Sequence, residues 1–273
     1  MSGKFNKLKQ ERRQLMTRFV LVIVFLGMYF LRYPAETEYL DTPAFQQLLD
    51  GLERDGIERE KAVAFITNER VIWYPKIAEK FQAGRTMEKS STYNPYLKFL
   101  EPDAIKKGRQ FYNRNQAIFE SVEIRFKIPA GILVGLLHIE SKLGDNTGRY
   151  QAFGVLLSIL RYSPDKNRKD WACKEIRAFL KADLPLFFTR SSYAGAFGIP
   201  QFLPSSYLTY GIDGNSDGVI DLNESADAIF SAANYLTKNG WAEIQTQSLY
   251  HYNNSQKFVS CIVEYAKKLE QEQ

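Results

Sequence analysis

Two groups of residues in this chain have the type and spacing to do chemistry. The first is a single carboxylate. Glu140 comes at the end of "GILVGLLHIE", Gly131 to Glu140, a run that is otherwise nearly free of polar side chains. Burial disfavours the charged form of a carboxyl and raises its pKa. A carboxyl kept protonated near neutral pH can donate a proton, for instance to a glycosidic oxygen. The competing reading is a helix C-terminal Glu that faces solvent beside Lys142. His138, two residues earlier on the same helix, points elsewhere and reads as structural.

The second group is a string of oxygen donors, Asp213 to Glu224, "DGNSDGVIDLNE". A calcium loop needs hard oxygens at positions 1, 3, 5, 7, 9 and 12 and a glycine at 6 for its sharp turn. Asp213, Asn215, Asp217, the Val219 carbonyl, Asp221 and Glu224 fall on those positions, with Gly218 at the sixth. Ile220 is expected to pack inward. Asp227, one helical turn further on, competes with Glu224 as the closing ligand. The loop stands alone, so the expected role is a structural Ca²⁺ that stiffens a surface loop. The bland alternative is an Asp/Asn/Gly-rich turn that binds nothing.

These groups need elements to hold them. Strand-like alternation never lasts more than a few residues, and the spacing of apolar residues is helical through most of the chain, so the fold class is mainly α. "AFQQLLDGLERDGI" predicts an amphipathic helix, and "REKAVAFITNERVIWYPKIAEKF" carries apolar residues at mixed helical spacing. "QAGRTMEKSSTYNPY" reads as a loop. One long helix is expected over "DAIKKGRQFYNRNQAIFESVEIRF", with Pro102 just before it. The next begins at Pro129 and continues to about Ser141. A last helix, "KFVSCIVEYAKKL", follows "LYHYNNS", where Asn253 or Ser255 could cap it.

Composition narrows the function classes. The chain has 273 residues, long enough for a sizeable core, with 19 Phe and 16 Tyr. Six of the 36 basic residues and one of the 31 acidic ones lie in residues 1–18, so the remainder carries 30 of each. A body so balanced is no nucleic-acid binder by charge. The basic start is followed at once by "FVLVIVFLGMYFL", Phe19 to Leu31. With no good cleavage site after it, the run is expected to be an uncleaved membrane anchor, with a cleaved signal as the alternative. Either way the body lies outside the cytoplasm, because the basic flank stays inside. The expected division is 1–33 basic segment and anchor, 34–100 connector and N-terminal helical subdomain, and 101–273 the main domain. In an exported chain Cys173 and Cys261 could pair, a point the sequence leaves open.

Several motifs, in order, resemble one family. "HIESKLG", "SSYAGAFGIPQFLPSSY" and "LYHYNNSQKFVSCIVEYA" are similar to the lysozyme-like lytic transglycosylases, especially the membrane-bound lytic murein transglycosylase B family. The likeness spans roughly residues 40 to 267, with "FLEPDAIKKGRQFY" as its lead-in. It implies a lysozyme-like α-helical domain with an inserted EF-hand-like calcium loop and an N-terminal helical segment. It implies cleavage of the MurNAc–GlcNAc bond of peptidoglycan strands without water, leaving a 1,6-anhydro end. Glu140 would be the single acid/base. Ser192, Gln201, Tyr235, Tyr252 and Asn253 would hold sugar or orient the Glu. The family closes its calcium loop at the position of Asp227, so Glu224 and Asp227 both stay candidates. Leu143 and Phe258 depart from the family, which often has Trp or Phe at the first position and Tyr at the second. A basic pair expected after the catalytic helix has no clear counterpart in "SPDKNRKDW".

Overall fold

The computed structural model describes residues 37–77, 79, 93–242 and 245–271. The anchor expected within residues 1–33 lies outside them. Among the described residues no helix is long and apolar enough to cross a membrane. Contacts divide the chain into two compact units, Met1–Gln47 and Leu48–Gln273.

In the first unit a 3-10 turn, Glu38–Asp41, leads into helix α1, Pro43–Arg54, which runs on into the second unit. Tyr39 packs edge-on against Phe45, with ring centroids 4.8 Å apart. Along α1, Phe45, Leu48, Leu49 and Leu52 are buried. They sit at i, i+3, i+4 and i+7, the amphipathic stripe predicted from sequence.

The second unit is helical nearly throughout. It continues with α2 (Arg59–Ile66), α3 (Pro102–Arg114), α4 (Gln116–Phe126) and α5 (Ala130–Ser141). A two-residue strand β1 (Tyr150–Gln151) precedes α6 (Ala152–Tyr162) and α7 (Lys166–Lys181). Strand β2 (Arg190–Ser191) pairs antiparallel with β1, Tyr150 opposite Ser191. Then come α8 (Pro204–Tyr210), α9 (Ser225–Lys238), α10 (Gln245–Tyr252) and α11 (Gln256–Gln271). The mainly α expectation stands: among the described residues the only sheet is this two-stranded ribbon.

One expected element differs. The single long helix after Pro102 is two, broken at Asn115. The Asn115 side chain donates to the Phe111 carbonyl at 2.9 Å, and its backbone (φ −117°, ψ 20°) leaves the helical region. An Asn side chain offers the backbone this alternative to continuing the helix. The break lets α4 turn and pack on α9.

Helix α5 is the centre of the unit. Leu133, Val134, Leu136 and Leu137 have no solvent exposure. Its closest partner is α11. Gly131 and Gly135 make this possible: a Cβ on Gly135 would lie 3.1 Å from the Tyr265 ring, and one on Gly131 would lie 3.1 Å from Ala266. The Tyr265 hydroxyl passes over Gly108, meets His138 Nδ1 at 2.7 Å and donates to the Ala104 carbonyl. Burial lowers the His138 pKa to about 4, so it stays neutral in the core, the structural role expected of it.

A second helical pair, α6 and α7, sets the β ribbon in place. Gln151 is buried and holds the segment before it: Oε1 accepts from the Ile72 N–H and Nε2 donates to the Arg70 carbonyl. Glu175 on α7 is buried as well and accepts from both the N–H and the hydroxyl of Ser205, in the first turn of α8. Both cysteines are buried, and the structure has no Cys173–Cys261 bridge.

Candidate active site

Glu140 sits in the last turn of α5, where the chain must leave the core abruptly. Lys142, Leu143 and Gly144 take left-handed conformations, with φ of 56°, 63° and 98°. The Leu143 N–H returns to the Leu137 carbonyl and the Gly144 N–H to the Ser141 hydroxyl, which ends the helix. Two consecutive non-glycine residues at positive φ are uncommon and carry strain, a feature that concentrates at functional sites. The turn carries the chain under Ile199: a Cβ on Gly144 would lie 3.4 Å from its side chain.

The loop over this turn is the "GIPQF" segment. Gly198 (φ 72°) lies so close to Leu222 that a Cβ would come within 2.4 Å of its Cβ. Gln201 takes φ 52°, and its Nε2 donates to the Gly198 carbonyl at 2.8 Å and the Thr147 carbonyl at 3.2 Å. Thus the amide of Gln201 ties its loop to the exit turn of α5, leaving its Oε1 as an acceptor.

Behind the loop lies an aromatic cluster. Tyr252, at the end of α10, and Tyr235, on α9, have ring centroids 4.6 Å apart, and both pack on Phe202. The Tyr252 hydroxyl donates to the Pro200 carbonyl, and the Tyr235 hydroxyl to the His251 carbonyl at 3.0 Å. Burial pushes the Tyr235 phenol up to about 12. The Tyr252 phenol is raised well above its ordinary value, first by burial and next by the negative charge of Glu140. That second cause places the Tyr252 hydroxyl within electrostatic reach of the carboxylate.

Glu140 itself keeps a partly exposed surface. Among the described residues, no hydrogen-bond donor or cation faces its carboxyl. Desolvation is the sole cause of its shift, from an ordinary 4.5 to about 8. Part of the residue meets solvent while protein atoms crowd the carboxyl. A carboxyl so desolvated does not suit the solvent-facing alternative paired with Lys142. The site thus offers an acid protonated at neutral pH, flanked by phenol and amide groups that hydrogen-bond without competing as acids.

The other expected site residues divide. Ser192 follows β2, and its hydroxyl accepts from the Ala194 and Ala196 N–H groups at 3.3 Å each. These bonds shape the turn and leave the hydroxyl proton free to donate. The Tyr150–Ser191 pairing connects that turn to the exit segment of α5. Asn253 directly follows Tyr252, and it is Ser255 that caps α11, accepting from Val259 N at 3.1 Å and Phe258 N at 3.4 Å. Phe202, Pro200 and Thr147 also belong to the site. They escaped the sequence reading because they act through packing or backbone carbonyls, which residue type does not reveal.

The oxygen-rich loop is wound around its own carboxylates. Asp213 accepts from the Asp217 and Gly218 N–H groups, Asn215 from Asp217 N–H, and Asp217 from Val219 N–H. Ile220 packs on Phe197, Phe202 and Leu222, the inward placement expected. Asp227 is 1% exposed and staples the loop, accepting from Gly214 N–H at 2.8 Å and Asp221 N–H at 2.6 Å. Glu224 is exposed as the residue before α9. Of the two closing candidates, Asp227 is the one turned into the loop. Among the described residues no three His, Cys, Asp or Glu side chains cluster tightly enough to chelate an ion alone. A cation here would need the Asn215 amide and backbone carbonyls as well, a donor set that suits a hard ion with many oxygen ligands.

The sequence pattern of the transglycosylase SLT domain matches residues 40–256. Membrane-bound lytic murein transglycosylase B of Escherichia coli (strain K12) is 32% identical over 151 residues, 54% of this chain and 41% of that protein. The chain therefore matches less than half the length of that relative. Among solved structures, the catenated lytic transglycosylase SltB1 from Pseudomonas aeruginosa superposes with a TM-score of 0.77 at 21% identity, covering 86% of this chain and 99% of that one. The Escherichia coli lytic transglycosylase Slt35 in complex with calcium gives 0.72 at 19% identity, covering 86% and 95%. At these identities the solved structures establish a shared fold.

Proposed function

The chain belongs to the transglycosylase SLT domain family, and on that premise we propose that it is a peptidoglycan lytic transglycosylase with Glu140 as its one acid/base. The observation that supports this most is the partnerless Glu140 carboxyl, raised to about 8 by burial alone. Protonated, it donates to the oxygen linking MurNAc to GlcNAc, and that bond breaks. Now ionised, it takes the proton of the same sugar's C6 hydroxyl, whose oxygen closes on C1 to form the 1,6-anhydro ring. The nucleophile is intramolecular, so its effective molarity is high and no second carboxylate need position water. The substrate's N-acetyl group would steady the cationic centre, as in substrate-assisted glycosidases.

In this reading Ser192, the Gln201 Oε1, Tyr235, Tyr252 and Asn253 border the sugar. Tyr252 further fixes the Pro200 loop beside the acid. The Asp213–Asp227 loop would hold a structural Ca²⁺ through Asp213, Asn215, Asp217, the Val219 carbonyl, Asp221 and Asp227 or Glu224. The solved relative that binds calcium lends support to this. Residues 1–33 would anchor the body on the periplasmic side of the membrane, where its substrate lies.

The test is digestion of purified sacculi with product masses recorded. Anhydro-ended muropeptides are expected, and Glu140→Gln should release none. Products one water heavier would mean that water is admitted and the enzyme hydrolyses. Binding without any product would leave only a wall-binding module.

A further inference from the structure

Helix α7 carries a buried carboxyl that the proposed reaction does not use. Glu175 is 4% exposed. Both of its oxygens are committed to one residue: Oε2 accepts from the Ser205 N–H at 3.0 Å and Oε1 from the Ser205 hydroxyl at 2.8 Å. Burial raises its pKa above the ordinary carboxylate value, against the two Ser205 hydrogen bonds and the Lys174 charge, which lower it. A carboxyl in the interior is disfavoured unless its partners compensate, so its presence needs a reason beyond filling space.

The reason lies at the start of α8. Leu203 precedes that helix and gives it no side-chain cap. Pro204 has no N–H, so the Ser205 N–H is the first donor of α8 and has no intrahelical acceptor. Glu175 supplies the acceptor from a different helix. Just upstream, Phe197 and Phe202 exchange both backbone hydrogen bonds, at 2.8 and 3.0 Å, and close the loop 198–201. The leg of that loop that leaves Phe202 is thus fixed three residues later by Glu175. At the tip, the Pro200 carbonyl accepts from the Tyr252 hydroxyl, and the Gln201 amide donates to the Thr147 carbonyl in the segment that leaves α5. Ile199 lies over Gly144 of the same segment. The α7 carboxyl and the exit segment of α5 therefore hold opposite ends of one short loop.

We propose that Glu175 is a positioning residue: by capping α8 it sets where the 198–201 loop lies beside Glu140. The proposal rests on the reading of Glu140 as the acid. Without the cap the loop shifts, water reaches the Glu140 carboxyl, and the proton is held less tightly. Glutamine preserves the connection, since its oxygen accepts from the Ser205 N–H and its amide donates to the Ser205 hydroxyl. Alanine does not.

The test compares Glu175→Ala, Glu175→Gln and Ser205→Ala with the parent, each at a temperature where circular dichroism shows it folded. Muropeptide release from soluble peptidoglycan strands gives kcat and KM from about pH 5 to 9. Glu175→Ala should lose kcat at least about tenfold with KM nearly unchanged, because a displacement of about 1 Å can cost about 100-fold. The alkaline limb of kcat/KM, set by the Glu140 carboxyl at about 8, should move down by about one pH unit or more. Glu175→Gln should recover most of the loss, and Ser205→Ala, which removes one bond of the two, should fall between. In the Glu140→Gln background, Glu175→Ala should speed hydrogen exchange at the Phe197, Ile199 and Phe202 amides while the α5 amides keep their protection. Unchanged exchange in the loop, full kcat in folded Glu175→Ala, an unmoved alkaline limb, or Glu175→Gln as impaired as Glu175→Ala would each overturn the proposal. Should Glu175→Ala not fold, the same readings on Ser205→Ala decide. An inactive parent or an active Glu140→Gln would instead overturn the acid reading, and the exchange rates would still report whether Glu175 holds the loop.

Discussion

Glu140→Gln should do two opposite things: remove activity and make the protein more stable, the more so the higher the pH. Desolvation holds the native Glu140 pKa near 8, against 4.5 for the free side chain. Here the folded state binds the proton more tightly than the unfolded state. Below about pH 4.5 the carboxyl is protonated in both and burial of the charge costs nothing. Between 4.5 and about 8 the unfolded chain releases its proton and the native one does not, so stability falls with rising pH. At 1.36 kcal/mol per pH unit the full loss is about 5 kcal/mol. The carboxyl keeps some solvent contact, so about 2–3 kcal/mol is the lower figure. Glutamine carries no charge at any pH and avoids this loss. The assay is chemical denaturation of both proteins at pH 5, 6, 7 and 8. The variant should be near the parent at pH 5 and about 2–5 kcal/mol more stable at pH 8, which is roughly 5–15 °C in Tm for a chain of this size. In parallel, kcat/KM of the parent should decline above about pH 8 as the acid ionises. A stability difference that stays flat from pH 5 to 8 would refute the buried-acid account even if the variant were inactive.

Further outcomes follow from the same contacts. Chelation with EDTA should lower Tm, and Asp217→Ala should lower it to the same extent and then show no further response to EDTA, as differential scanning calorimetry would reveal. Tyr252→Phe leaves the Pro200 carbonyl without its donor; it should cost about 1–3 kcal/mol in denaturation and slow muropeptide release at least tenfold by loosening the loop beside Glu140. Gly108→Ala would place a Cβ 1.9 Å from the Tyr265 hydroxyl. The resulting displacement of Tyr265 from His138 should destabilise by about 3 kcal/mol or more, and loss of the buried neutral imidazole should appear by NMR titration as a His138 pKa rising toward 6.5.

The sequence by itself determined the helical class, the amphipathic stripe of α1, the limits of α5 and the glycine turn of the oxygen-rich loop. Each of these depends on neighbours a few residues apart: apolar spacing, a proline at a helix start, glycine where a turn needs positive φ. It also singled out Glu140, because a carboxylate closing an apolar run is unusual in any fold. It misjudged the helix after Pro102, since periodicity continues across Asn115 while a side-chain hydrogen bond breaks the backbone there.

Only the tertiary structure decided what those residues mean. The surroundings that desolvate Glu140 come from the fold: Tyr252, within electrostatic reach of it, is remote in sequence. That Asp227 turns into the loop while Glu224 stays exposed depends on burial and on backbone N–H groups on the far side of the loop. The absence of a bridge between Cys173 and Cys261 likewise depends on which helices pack together. Desolvation and hydrogen bonding are properties of a residue's three-dimensional surroundings. Residue type and local spacing specify the group that could react, and packing sets whether it holds its proton.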